Sequence, residues 1–251
     1  AKFSNQMALR LERKISEQDF EKIFNLFNTN INDSILMNYT GSVRNTFSFN
    51  KISPKFGIDQ IVQSNTSKLL LVNGFDTREV KAYGLKIRWN IFSSLTFTNA
   101  FEVGSKNYNS EFFPSKNYAL ELLEEEIKFT FQPDVKYRFT LSTKYKEKDN
   151  TLNIEKSDIL EIGLETNYSI LSKGIISGKV SFLNINYTGQ VNSSIAYEML
   201  EGYLAGKNYT WSIIGQYNIS NSLQLDISYN ARANQESKVI HNGTIQVRAF
   251  F

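Results

Sequence analysis

Thr244-Ile245-Gln246-Val247-Arg248-Ala249-Phe250-Phe251 decides how the rest of this chain is read. Ile245, Val247, Ala249 and Phe251 fall on one face of an extended segment, and Thr244, Gln246 and Arg248 fall on the other. Side chains alternate with period two along a β-strand, so these eight residues read as a strand with one apolar and one polar side.

The same alternation recurs upstream. Tyr83, Leu85, Ile87, Trp89 and Ile91 alternate with Gly84, Lys86, Arg88 and Asn90, and this is the clearest strand of all. Met7, Leu9 and Leu11 open the series, and Val43, Phe47 and Phe49 follow. Leu95, Phe97, Phe101 and Val103 come next, then Tyr137, Phe139, Leu141 and Tyr145. Leu160, Ile162 and Leu164, then Tyr209, Trp211 and Ile213, then Leu223, Leu225 and Ile227 repeat the pattern. The alternation predicts about twelve strands. A parity slip near Leu122-Leu123 predicts a β-bulge. Short turns at Pro54, Ser93, Pro133, Lys173 and Asn221 alternate with longer predicted loops at Asn73–Glu79, Ser105–Asn117, Glu147–Lys156 and Tyr187–Lys207. Between Ser16 and Asn28 the period changes. Phe20, Ile23, Phe24 and Phe27 recur at helical spacing, which predicts a short amphipathic helix in a long loop.

Composition narrows the class. The chain has 251 residues, no Cys, one His, 13 Tyr and 19 Phe. Without cysteine there is neither a disulfide framework nor a thiolate metal site. The net charge of +3, from 28 basic and 25 acidic residues, is too even for a nucleic-acid binder. No apolar run approaches the ~18 residues of a membrane helix. A membrane barrel hides its signal by alternation, so that absence does not count against one. Ala1 is not an initiator Met, which points to a removed upstream segment or to the C-terminal part of a longer chain.

Three features favour a membrane barrel over a soluble sandwich. Many strands run ten residues or more, enough for a tilted strand to cross a bilayer, whereas soluble strands average about five or six. Tyr83, Trp89, Tyr137, Tyr145, Tyr168, Tyr209, Tyr217 and Tyr229 sit near the limits of their apolar faces, as interfacial girdles do. The opposite face carries charges of both signs. The predicted fold is therefore a single-domain, all-β, transmembrane up-and-down antiparallel β-barrel. Its short turns would be periplasmic and its long loops extracellular, with both chain ends periplasmic. The terminal strand is expected to pair with the first, around Leu9, and close the cylinder.

Four stretches carry a resemblance. They are Tyr197-Glu198-Met199-Leu200-Glu201-Gly202, Asn208-Tyr209-Thr210-Trp211-Ser212, Leu223-Gln224-Leu225 and Gln246-Val247-Arg248-Ala249-Phe250-Phe251. From Asn208 to Phe251 the chain resembles the C-terminal β-barrel of outer-membrane proteins of the Bacteroidota. Phe75 to Trp89 and Ser53 to Ile58 fit the same pattern. The resemblance implies a bacterial outer-membrane location, with the lipid bilayer and the outer-membrane assembly machinery as partners. It also implies other surface proteins as neighbours in a surface, secretion or assembly complex. The aromatic C-terminus resembles the signal that the assembly machinery reads, with Ile245, Val247, Ala249 and Phe251 as the barrel-closing residues.

Candidate chemistry is sparse. His241 is the single histidine, and the residue two further on is Gly243 rather than the Ser of outer-membrane phospholipases. Nothing marks a third triad member. Glu124-Glu125-Glu126 is the only dense acidic cluster, and a strand sends its members to opposite faces. No catalytic, cofactor or metal site is expected. The candidate functional feature is a lumen charge network of Arg44, Lys86, Arg88, Glu102, Glu126, Lys128, Arg138, Lys144, Glu161, Glu165, Lys179, Asp226, Arg232 and Arg248. Twelve-stranded barrels are intermediate between filled and open ones, and paired charges favour a closed or narrow lumen. Phe20, Phe24, Phe27, Phe112 and Phe113 are candidate partner or lid contacts. The expected role is a non-enzymatic anchor or structural subunit. A narrow pore for ions or small solutes is the alternative, and a membrane-embedded hydrolase the weaker one.

Overall fold

The computed structural model describes residues 1–14, 36–53, 55–171, 173–235 and 237–250. The strands are β1 (Lys2–Arg13), β2 (Leu36–Phe49), β3 (Phe56–Leu71), β4 (Gly74–Phe92), β5 (Leu95–Ser110) and β6 (Tyr118–Phe131). They continue as β7 (Tyr137–Asn150), β8 (Lys156–Ile170), β9 (Gly174–Thr188), β10 (Gly206–Ser220), β11 (Leu223–Asn234) and β12 (Ser237–Ala249). Each pairs antiparallel with the next, so the twelve form one up-and-down sheet in sequence order.

The registers fix which side chains share a face. Lys86 lies opposite Ala100, Ala100 opposite Glu126, Glu126 opposite Lys144 and Lys144 opposite Glu161. All fourteen residues of the expected charge network fall on this polar face. All eight girdle aromatics fall on the other, where aromatic rings meet across strands. The ring centroids of Phe97 and Phe129 are 5.2 Å apart, and those of Tyr137 and Tyr168 are 5.0 Å apart. Leu85, Trp89, Leu141, Leu164 and Ile213 stand exposed there, as a lipid-facing surface requires. A few polar groups break the pattern. Asn5 donates to Asn45 at 2.6 Å, and Asn99 to Glu125 at 3.1 Å, all four on the apolar face.

The long-loop end differs from expectation. Asn73–Glu79 is not a loop, because β4 begins at Gly74 (φ +132) after a two-residue turn. β5 extends into Ser105–Asn117 as far as Ser110, leaving a short connection to β6 with a 3-10 turn at Pro114–Lys116. β7 and β8 likewise take up both ends of Glu147–Lys156. Cross-strand pairing continues wherever polar residues can still alternate, so composition alone marks these strand tips too early. The bulge expected at Leu122-Leu123 is absent, since both registers of β6 run through without a shift. The parity slip has another cause: Leu120 and Leu122 face the polar side because an inserted loop covers them.

That loop joins β9 to β10 and carries the helix α1 (Ser194–Met199). The Ser193 hydroxyl caps it by accepting from the Ala196 N–H at 2.9 Å. Glu201 (φ 55) and Gly202 (φ 78) end it in the left-handed region. Ile195, Ala196, Met199 and Leu200 are buried against Leu120, Ile159, Leu183 and Ile185, which makes this the apolar core of the molecule.

The closing pair is also absent. Among the described residues β1 and β12 form the two edges of the sheet, and no pairing joins them. The predicted helix at Ser16–Asn28, with Phe20, Phe24 and Phe27, lies outside the described residues, as does Phe251.

Candidate functional site: a charge-clamped loop on the polar face

The site is built where α1 meets the wall of β5 to β9. Antiparallel pairing places Glu102, Glu124 and Lys146 side by side across β5, β6 and β7. Alternation along β7 then puts Lys144, Lys146 and Lys148 on the same face, and Lys106 of β5 joins them. The loop answers with two carboxylates. Glu198 of α1 pairs with Lys106. Glu201 accepts from Lys146 at 2.6 and 2.7 Å and lies 3.0 Å from Lys148. Lys148 also donates to the Glu198 carbonyl at 3.1 Å, and the Ser157 hydroxyl donates to the Met199 carbonyl at 3.0 Å.

These contacts are sheltered. The Lys148 side chain is 9% exposed and Met199 is 0% exposed. Burial pushes the Glu201 carboxyl up, but the Lys146 and Lys148 ammonium groups outweigh it and hold the carboxyl below its usual value. Holding a non-glycine residue at φ 55 costs about 1–2 kcal/mol. The chain accepts that cost where it aims this carboxylate at the wall. A cavity of about 160 Å³ remains beside the loop, bordered by Glu102, Glu124, Lys106, Lys146, Lys148 and Glu201.

The wider charge network is only partly knit. Lys144 pairs with Glu124 at 2.5 Å, Lys128 with Glu126 at 2.8 Å, Lys179 with Glu161 at 3.7 Å and Arg248 with Asp226 at 3.2 Å. Arg44 donates to Gln63, Arg88 to the Ser53 carbonyl and Arg138 to Gln132, so acidic partners are not the rule for the arginines. Lys86 lies in the row of Ala100 and Glu126, Glu165 lies between Thr140 and Lys179, and Glu102 borders the cavity. Arg232 lies close enough to Tyr203 to act on its hydroxyl. Phe112 and Phe113 are exposed at the β5–β6 tip and meet edge to face at 4.6 Å, with Lys116 over Phe113. They do not join α1.

His241 lies on the apolar face, where its Nδ1 is 2.8 Å from the Tyr229 hydroxyl and its ring meets Trp211. This is an aromatic cluster rather than a triad. Among the described residues no three His, Cys, Asp or Glu side chains gather as a metal would need. The sequence does signal the clamp. Ile195, Ala196, Met199 and Leu200 recur at helical spacing, and lysines fall on alternate positions at 144, 146 and 148. What it lacks is the pairing between them, which spans 92 positions from Lys106 to Glu198.

No protein-family model and no curated protein matches the sequence. The fold is that of Gram-negative outer-membrane β-barrels. The siderophore receptor PirA from Acinetobacter baumannii superposes with a TM-score of 0.61 at 9% identity, over 85% of this chain and 39% of that one. The outer-membrane transporter YddB from Escherichia coli gives 0.51 at 11% identity, over 97% and 41%. The PirA receptor from Pseudomonas aeruginosa gives 0.53 at 7% identity, over 86% and 37%. The chain thus spans about two fifths of the length of these structures. The polar face of the sheet corresponds to the lumen of such a barrel and the apolar face to its lipid surface.

Proposed function

We infer that this chain forms twelve consecutive strands in the wall of a wide outer-membrane barrel of the transporter kind, with strands outside this sequence completing the cylinder. The carrying observation is that β1 and β12 each lack a second neighbour among the described residues. An open edge leaves N–H and C=O groups unpaired, at a cost of several kcal/mol each in hydrocarbon, so a membrane sheet must close on something. Superposition on about two fifths of larger barrels supports a broad arc, and outer-membrane transporters reach 22 strands around a plugged lumen. In this reading the short turns and both ends of the described sheet are periplasmic. The α1 loop then folds into the lumen from the extracellular side and narrows it. The role is structural and non-enzymatic, in a surface or transport assembly inserted by the outer-membrane machinery. The terminal pattern that resembles Bacteroidota barrels fits this setting.

The competing reading is a closed twelve-stranded barrel with a narrow pore, as the sequence suggests. The chain has no cysteine, so disulfide scanning separates the two cleanly. Cysteines at Ser4, Gln6, Ala8 and Arg10 are combined with cysteines at Asn242, Thr244, Gln246 and Arg248 in the full-length gene product. No pair is expected to cross-link, and a photo-cross-linker at Leu9 should capture residues outside 1–251. A high-yield β1–β12 disulfide would sink the wide-barrel reading.

A further inference from the structure

We propose that the lumen wall beneath α1 is a binding site for an acidic, partly apolar peptide segment, and that residues Ser194–Glu201 occupy it in cis. The inference does not depend on which strands close the barrel.

Charge complementarity is the first support. Lys106, Lys146 and Lys148 present three ammonium groups toward the lumen, and two carboxylates of one short segment, Glu198 and Glu201, neutralise them. The second support is apolar. Leu120, Ile159, Leu183 and Ile185 form a patch next to those lysines, and Ile195, Ala196, Met199 and Leu200 fill it. A wall inside a polar lumen has no structural need for such a patch unless something apolar sits on it. The third support is a donor left over. The Tyr118 hydroxyl is buried beside Glu198 and has no hydrogen-bond partner among the described residues. Buried hydroxyls are normally satisfied, and α1 leaves this one without an acceptor. The cavity of about 160 Å³ beside the loop continues the same lysine-lined wall past Glu198 and Glu201.

The loop therefore behaves as a tethered ligand. It holds the site at the high effective concentration of a short tether, and a free segment with the same chemistry competes with it. A chain passing through the lumen with carboxylates spaced along a short helix meets the same three lysines and the same apolar floor.

The probe is a fluorescent synthetic peptide of residues Gln190–Tyr203, compared with the same peptide carrying Gln at 198 and 201. The receptor is the full-length gene product in nanodiscs, with retained heat-modifiable mobility as the fold check. Anisotropy should show the acidic peptide binding Glu198→Gln/Glu201→Gln protein about tenfold or more tightly than native protein, because the cis competitor is weakened. The Gln peptide should bind at least about tenfold more weakly. Lys106→Gln/Lys146→Gln/Lys148→Gln in the receptor should remove the preference between the two peptides. Should the double loop variant fail the fold check, Glu201→Gln alone serves. A Met199→Cys protein then reports independently, since acidic peptide should accelerate its labelling by an impermeant maleimide. Equal binding of the two peptides, a preference indifferent to the lysines, or labelling unmoved by saturating peptide would each overturn the proposal.

Discussion

Glu201 grips Lys146 through both carboxylate oxygens, at 2.6 and 2.7 Å, across 55 positions of sequence. The chain adopts φ 55 at Glu201 to make that grip possible. Because Lys146 and the neighbouring Lys148 are sheltered by the loop, removing the acid does more than delete a bond. Glu201→Ala leaves the Lys146 and Lys148 ammonium groups with Glu124, 3.8 Å from Lys146, as the nearest remaining carboxylate, and the expected loss is about 1–3 kcal/mol. Lys148→Met removes a buried charge together with its desolvation cost, so its loss should be clearly smaller. Urea unfolding of both variants in liposomes checks the order, and a larger loss for Lys148→Met would contradict it.

The clamp should also respond to pH. The Glu201 carboxyl is held below its usual value, so its contribution is fully present above the ordinary carboxylate range and is lost as pH falls through the lower folded value. Lys146 and Lys148 face this carboxyl, Lys146 also reaches Glu124, and Glu198 sits nearby on Lys106. Protection of Met199→Cys, measured as its labelling rate relative to the same thiol in unfolded protein at each pH, should therefore be high at neutral pH and fall in acid. In Glu201→Gln protein this carboxylate's share of the pH dependence should vanish, leaving fast labelling already at neutral pH.

The assignment of faces has its own test on β7. Leu141 and Ser142 are neighbours that point to opposite sides of the sheet. Leu141→Arg puts a cation into the lipid and should cost about 2–4 kcal/mol near the midplane. Ser142→Arg points into the lumen and should be tolerated with little loss of stability. Unfolding in bilayers distinguishes them, and equal costs would contradict the two-faced wall.

Packing under the loop predicts a coupled pair. Met199 is 0% and Leu120 1% exposed, in one cluster. Each alone, as Met199→Ala or Leu120→Ala, should destabilise loop docking by about 2–5 kcal/mol. The double variant should fall short of the sum by about 0.5–3 kcal/mol, because the two contacts are partly one contact. Strict additivity would mean the loop does not rest on Leu120.

Much of this architecture is legible in the sequence because a strand's two faces are written at every second residue. Tyr83 to Ile91 reveals its strand without any partner, and the fourteen charged positions sort to one face by parity alone. Loop ends are harder to read. Residues 74–79 and 105–110 are polar apart from Phe75 and Tyr108, which is what a strand standing clear of the membrane looks like, and composition cannot tell that from a turn. At Leu122-Leu123 a true signal carries the wrong meaning. The apolar residue on the polar face marks a covering loop, and only the fold brings Met199 above it. Closure is hard to read for a similar reason. Edge pairing is a property of what lies beside β1 and β12, and their own residues are compatible with many neighbours.

The reach of the Lys106–Glu198 contact has a consequence in time. Every hairpin of the wall joins residues close in sequence, so the sheet can grow strand by strand with little loop-closure entropy. The loop contact cannot form until β5 through β9 already stand side by side, because its lysines, its apolar floor and its tether lie on different strands. Docking of α1 is therefore a late event that reports a finished stretch of wall. In refolding experiments, protection of Met199→Cys should lag behind the formation of β-structure.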